Sequence, residues 1–203
     1  MAQQTEDQRR RVVIPTDSPV WDRFFTVAPL VIVGTREGGG GYDLAPKHMA
    51  MPLGWQNYYC FACSPSHATQ HNVERTGEFT VSFPRPDQIL QASMAAGPRI
   101  EDGSKPTLAA LETLPASTVD GVLVSGAYLW LECALERVLE GFGDNTLIIG
   151  RVVAASADER ILRSEVDDPG PTPHPALLAY LSPGRFAGVE QSSSFPFHAG
   201  FRL

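Results

Sequence analysis

Apolar and polar positions along this chain repeat mostly with the period of two that an extended strand requires. "APLVIVGTRE" (28–37) is a short run with β-branched residues, stopped by four glycines. "YDLAPKHMAMPLG" (42–54) follows that flexible stop, so the two predict a hairpin, the second segment returning beside the first. "NYYCFACS" (57–64) and "GEFTVSFP" (77–84) read as two more strands. Between them lies a short helix with Ser66 as N-cap and Gly77 as its stop. From Leu129, residues Leu129, Leu131, Cys133 and Leu135 alternate with Tyr128, Trp130, Glu132, Ala134 and Glu136, which predicts a strand with one wet face. "NTLIIGRVVAASAD" (145–158) reads as a strand buried on both faces, with Gly150 at a bulge or a close backbone approach. "DQILQASMAAG" (87–97) and "TLAALETL" (107–114) have helical spacing and serve as covers. "DDPGPTPHP" (167–175) is a proline-rich connection, after which "ALLAYLSPGRF" (176–186) returns to the core.

The whole is mainly β. Its 203 residues, 43% of them hydrophobic, are enough for one sizeable core. Residues 1–19 form a polar leader and 20–203 a single domain. A formal net charge of -7 argues against nucleic acid and anionic lipid as partners. The leader carries arginines but no apolar stretch of signal length, so a cytoplasmic protein is expected. Cys60, Cys63 and Cys133 are an odd number, and on a strand positions 60 and 63 point to opposite faces, so buried structural thiols are expected rather than a zinc or redox pair. His67 and His71 are four apart on the predicted helix, but "HATQH" lacks the glutamate of a zinc helix and no metal is expected. Walker, dinucleotide-binding and nucleophile-elbow motifs are missing from the sequence.

The order of strand, glycine-rich loop, A-P segment, strand, T-x-x-N helix and "TGEFTVSF" resembles the flavin reductase-like family, and "GFGDNTLIIGRVV" and "HPALLAYLSPGRF" resemble its later strands. The resemblance implies an FMN-binding split β-barrel, Greek-key-like, with short peripheral helices. It implies FMN rather than FAD, with NADH or NADPH as electron donor, hydride delivered to flavin N5, and a homodimer with flavin at the interface. Carried over by position, Ala45, Pro46, Lys47 and His48 would contact the cofactor, with Ser66, His67, Ala68, Thr69 and Asn72 at the helix start. His48 stands where the family more often has serine, and Asp43 where it has asparagine. A helix N-terminus offers free N–H groups to phosphate, and Lys47 would add a point charge. With flavin carrying the chemistry, no protein nucleophile is required. Asn145 occupies the place of the histidine in the family's Gly-Asp-His turn, on the nicotinamide side. Three functions stay open: a reductase of flavin or small molecules, an electron carrier served by a protein partner, and a barrel that binds some other ligand.

Overall fold

The computed structural model describes residues 11–162 and 172–195. Residues 1–10 of the predicted leader, 163–171, which include the first five residues of the proline-rich connection, and 196–203 lie outside the described residues. The first elements are β1 (Thr26–Pro29), β2 (Val31–Arg36), β3 (Tyr42–Lys47), β4 (Ala50–Pro52) and β5 (Tyr58–Cys63). Helix α1 (Ala68–Thr76) leads to β6 (Glu78–Phe83), and helix α2 (Ile89–Ala95) to the short pair β7 (Thr113–Pro115) and β8 (Val122–Val124). Two long strands, β9 (Leu129–Phe142) and β10 (Asn145–Ala157), precede β11 (Thr172–Ser182) and β12 (Arg185–Ser192).

Seven strands form one curled sheet in the order β3-β2-β6-β9-β10-β5-β4, and β1, β11 and β12 form a second. This is a split barrel. Its two edge strands are consecutive in sequence: β3 pairs with β2 and β4 pairs with β5, so only His48 and Met49 separate the sheet's two margins. The predicted hairpin therefore forms only in its first half, up to Lys47, and the second half crosses to the opposite edge. Pro46 and Pro52 are tolerated because each sits on an edge strand, where a missing N–H breaks no ladder.

The barrel interior is filled by Val31, Val33, Phe61, Phe79, Val81 and Ile148, with Val73 of α1 packed among them. Each such side chain is worth about 1.5–3 kcal/mol on burial. A second apolar cluster, with Ile32, Leu44, Ala92 and Leu178, joins the outer face of β2 and β3 to α2 and β11. Gly150 is a close approach, since a Cβ there would stand 2.3 Å from Phe79 Cζ. Gly77, at φ 72°, ends α1 as the sequence predicts. All three cysteines are free and buried. Burial, with Glu132 beside it, pushes the Cys133 thiol up to about 12, so it stays protonated.

Three local expectations are corrected. The N-cap of α1 is His67, one residue later than Ser66. "TLAALETL" is not an α-helix: Pro106–Ala110 makes a 3-10 turn and Thr113–Pro115 is strand β7, its Leu114 exposed. Its apolar spacing suits a helix, but pairing of β7 with β8 decides the conformation. Glu132 does not face water but is 5% exposed. Its carboxylate accepts from the amides of Ser117, Thr118 and Val119 and from the Ser117 hydroxyl, at 2.6–3.1 Å.

Burial alone would push the Glu132 carboxyl up, but those four donors outweigh it and hold the group below its ordinary value. Such a group contributes its full stability above the unfolded-state pKa, and the contribution is lost as pH falls through the folded-state value. Glu132→Gln should cost about 1.5–3 kcal/mol at neutral pH, and the difference from wild type should shrink on acidification. Urea melts of both proteins at neutral and acidic pH check this.

Candidate functional site

Strand alternation divides the A-P segment between two faces. Lys47 and Ala45 lie opposite Val31 and Val33 and share the barrel-interior face, whereas Pro46 lies opposite Ile32 on the outer face. Lys47 ends β3, and its Nζ lies 3.5 Å from Cys63 Sγ at the end of β5. Among the described residues no carboxylate pairs with it. The curl of the sheet has brought its first strand to the end of its sixth.

From Cys63 the chain turns through Ser64, Pro65 and Ser66 into α1. The hydroxyls of Ser64 and Ser66 are 2.9 Å apart, and the His67 amide donates to the Ser64 carbonyl at 3.0 Å. His67 has extended backbone angles and makes no side-chain cap bond, and the first turn of α1 holds no acidic residue. The first helical bond runs from the Gln70 amide to the His67 carbonyl. The amides of Ala68 and Thr69 are thus open donors at a positive helix end. Below them, the Thr146 hydroxyl lies 2.5 Å from Gln70 Oε1 and 3.1 Å from the Cys63 carbonyl oxygen, fixing α1 to β10 and β5.

The local charges agree with this picture. Burial and then Lys47 push the His48 ring below its usual value, and the same two causes, with Lys105, outweigh Asp43 at His67. Both rings are neutral near neutral pH, and Lys47 is the cation of the group. Asp43 is buried and engaged elsewhere: its Oδ1 is 3.3 Å from both Lys105 Nζ and Arg99 Nη2, while Lys105 also donates to the Leu44 carbonyl at 2.8 Å. The carboxylate that could repel an anion is neutralised by its own two cations. Lys105 was not legible in the sequence, since it arrives from a segment 62 positions beyond Asp43 with no local signal of the pairing.

The remaining sequence candidates fall at different distances from Lys47. Thr69 is buried at the second position of α1. The Asn72 amide donates to Thr35 Oγ1 at 3.1 Å, so this side chain fastens α1 to β2. Asn145 is the exposed first residue of β10, one position beyond the Thr146–Cys63 pair, at the same end of the sheet as the Ser64–Ser66 turn. Pro46 and His48 line a separate cavity of about 370 Å³ on the outer face. Lys47 acts electrostatically on His67, the N-cap of α1, so it stands near the end of the helix that carries the two open amides and follows Ser66, and Asp43 in the same neighbourhood is paired. These donors fit a phosphate group.

The family model of the flavin reductase like domain matches residues 23–182. The chain belongs to this family. No curated protein sequence matches it. Among solved structures, a flavoredoxin from Methanosarcina acetivorans is similar with a TM-score of 0.72 and 17% identity, over 94% of this chain and 97% of that one. The NADH:FAD oxidoreductase of Streptomyces globisporus gives 0.68 and 18%, over 87% and 95%. The flavin reductase of the styrene monooxygenase from Pseudomonas putida gives 0.63 and 16%, over 80% and 91%. At these identities the likeness establishes the fold.

With FMN as a phosphate-bearing probe and riboflavin as its control, Lys47→Ala should weaken binding of only the first. A hydrogen bond to a charged group contributes about 1.5–3 kcal/mol, so the FMN dissociation constant should rise roughly 10- to 150-fold. Riboflavin, which lacks the phosphate, should bind almost unchanged. Fluorescence titration of both ligands measures the difference, and equal losses would remove Lys47 from the site.

Proposed function

We propose that this flavin reductase-like protein is an FMN-dependent oxidoreductase, an NAD(P)H:flavin or small-molecule reductase. The observation that carries the reading is the pair of open amides at Ala68 and Thr69 behind an N-cap, His67, that feels the charge of Lys47, a lysine with no carboxylate partner among the described residues. One cation and two amides suit the single terminal phosphate of FMN. Ser66 and the Thr69 hydroxyl would add hydrogen bonds, and the Asp43–Lys105–Arg99 cluster would keep the nearest buried carboxylate neutralised. When bound, the flavin would supply hydride acceptance at N5 and electron delivery to the acceptor. The chain's own tasks are binding, orientation and exclusion of competing charge. No side chain of this group need act as nucleophile or base.

A homodimer, which the family resemblance implies, is part of the proposal. The segments "NYYCFACS" and "GAYLWLECAL" suggest uncovered apolar surface, yet Tyr59, Cys60, Phe61, Cys63 and Cys133 are buried inside the subunit. Exposed large apolar residues instead include Val27, Met49, Met51, Trp55, Phe186 and Val189, with Trp55 81% exposed. That much apolar surface favours a second copy as its cover.

Asn145 favours a second reading, that of an electron carrier reduced by a protein partner. It is exposed at the strand start and cannot titrate as an imidazole would. Anaerobic rapid mixing separates the two. Under the reductase reading NADH or NADPH bleaches the flavin absorbance, and Asn145→His changes that rate more than it changes FMN affinity, because Asn145 shares no partner with Lys47. Reduction by dithionite but by neither nicotinamide would favour the carrier.

A further inference from the structure

The cavity on the outer face of β3 is separate from the Lys47 group, because alternation turns Pro46 away from Lys47. Its floor is apolar, formed by Pro46, Ile89 and Ala92. One wall is aromatic: the His48 and Tyr180 rings stand 4.8 Å apart at centroids, tilted by 41°. Tyr180 is fixed there because its hydroxyl accepts from the Gly184 amide at 2.9 Å, which ties the ring to the β11–β12 turn. The His48 ring makes no hydrogen bond among the described residues and is kept neutral by burial and by Lys47. At the rim stands Arg185, whose guanidinium lies 5.7 Å from the Phe25 ring centroid. It too has no carboxylate partner among the described residues.

We infer that this cavity binds a small planar aromatic acid, its ring against His48 and Tyr180 and its carboxylate on Arg185. Three properties select that class. A volume of about 370 Å³ is near the lower end of the roughly 300–1,000 Å³ typical of ligand sites, which suits a single substituted ring better than a whole dinucleotide. The apolar floor and two flat rings reward a flat apolar face. A lone arginine in a fixed fork geometry matches one carboxylate, and the cavity lining holds no acidic residue to oppose it. The binding claim stands on the cavity alone and does not depend on the reductase reading.

The test uses benzoate and benzyl alcohol, two probes of similar size that differ in charge, titrated calorimetrically into the full-length protein. Benzoate should bind more tightly than the alcohol by roughly 10- to 150-fold. Arg185→Gln should abolish that preference, Arg185→Lys should restore part of it, and Ser93→Leu, which narrows the rim from an exposed helical position, should weaken both probes. Absence of saturable benzoate binding at millimolar concentration, or equal binding of the two probes, would overturn the proposal. So would a loss of FMN affinity in Arg185→Gln as large as the loss for benzoate, which would assign the cavity to the cofactor. These outcomes are independent of the Lys47→Ala result, so the cavity and the phosphate site can fail separately.

Discussion

The structure depends on one continuous stretch of chain forming both margins of a sheet. Residues 42–47 pair with β2 at one edge and residues 50–52 with β5 at the other, and the two residues between them span the split. The Ala62 amide donates to the Met49 carbonyl at 2.8 Å, so the crossing itself is pinned to β5. β3 and β4 do not pair with each other, so the barrel stays split along these two edges. The crossing also sets Lys47 against Cys63 at the point where the chain turns into α1. The crossing between the sheet's two edges and the candidate anion site are thus consequences of the same eleven residues, 42–52.

An acidic chain can present a candidate anion site because its charges are sorted locally. Asp43, whose charge reaches His67, is paired with Lys105 and Arg99. Glu132, also buried, is enclosed by amides on another face of the sheet. What remains near the start of α1 is Lys47, two neutral histidines and unpaired helix amides. In such a setting a positive site costs little desolvation until a ligand arrives, since the cation is only half-buried. The net charge of the protein says little about the sign of this one site.

Much of this was legible in the sequence where the signal is local. The β-branched run 31–36, the strand 58–63, the stop at Gly77 and the close approach at Gly150 follow from side-chain shape and backbone freedom, and the structure agrees at each. The order of these elements carried the family resemblance. Features set by distant partners were not legible. Glu132 alternates as a wet-face residue would, and only the 116–119 loop, folding over it with its amides, reverses that reading. "TLAALETL" has helical spacing, but β8 supplies a strand partner. The A-P segment indicates a binding stretch without showing that its alternate residues serve opposite faces. The outer cavity needs Tyr180 and Arg185 from the far end of the chain, and nothing near His48 announces them.

In the proposed arrangement, the crossing of residues 42–52 between the sheet's two edges builds a phosphate site from Lys47 and the open end of α1. Two-dimensional amide NMR of the isotope-labelled protein tests this, by comparing the shifts caused by FMN with those caused by riboflavin. The difference between the two ligands should be concentrated at the amides of Ala68 and Thr69, with smaller effects at Ser66 and Lys47 and little along α2. Differences centred on α2 or the β11–β12 turn, with Ala68 and Thr69 unmoved, would contradict it.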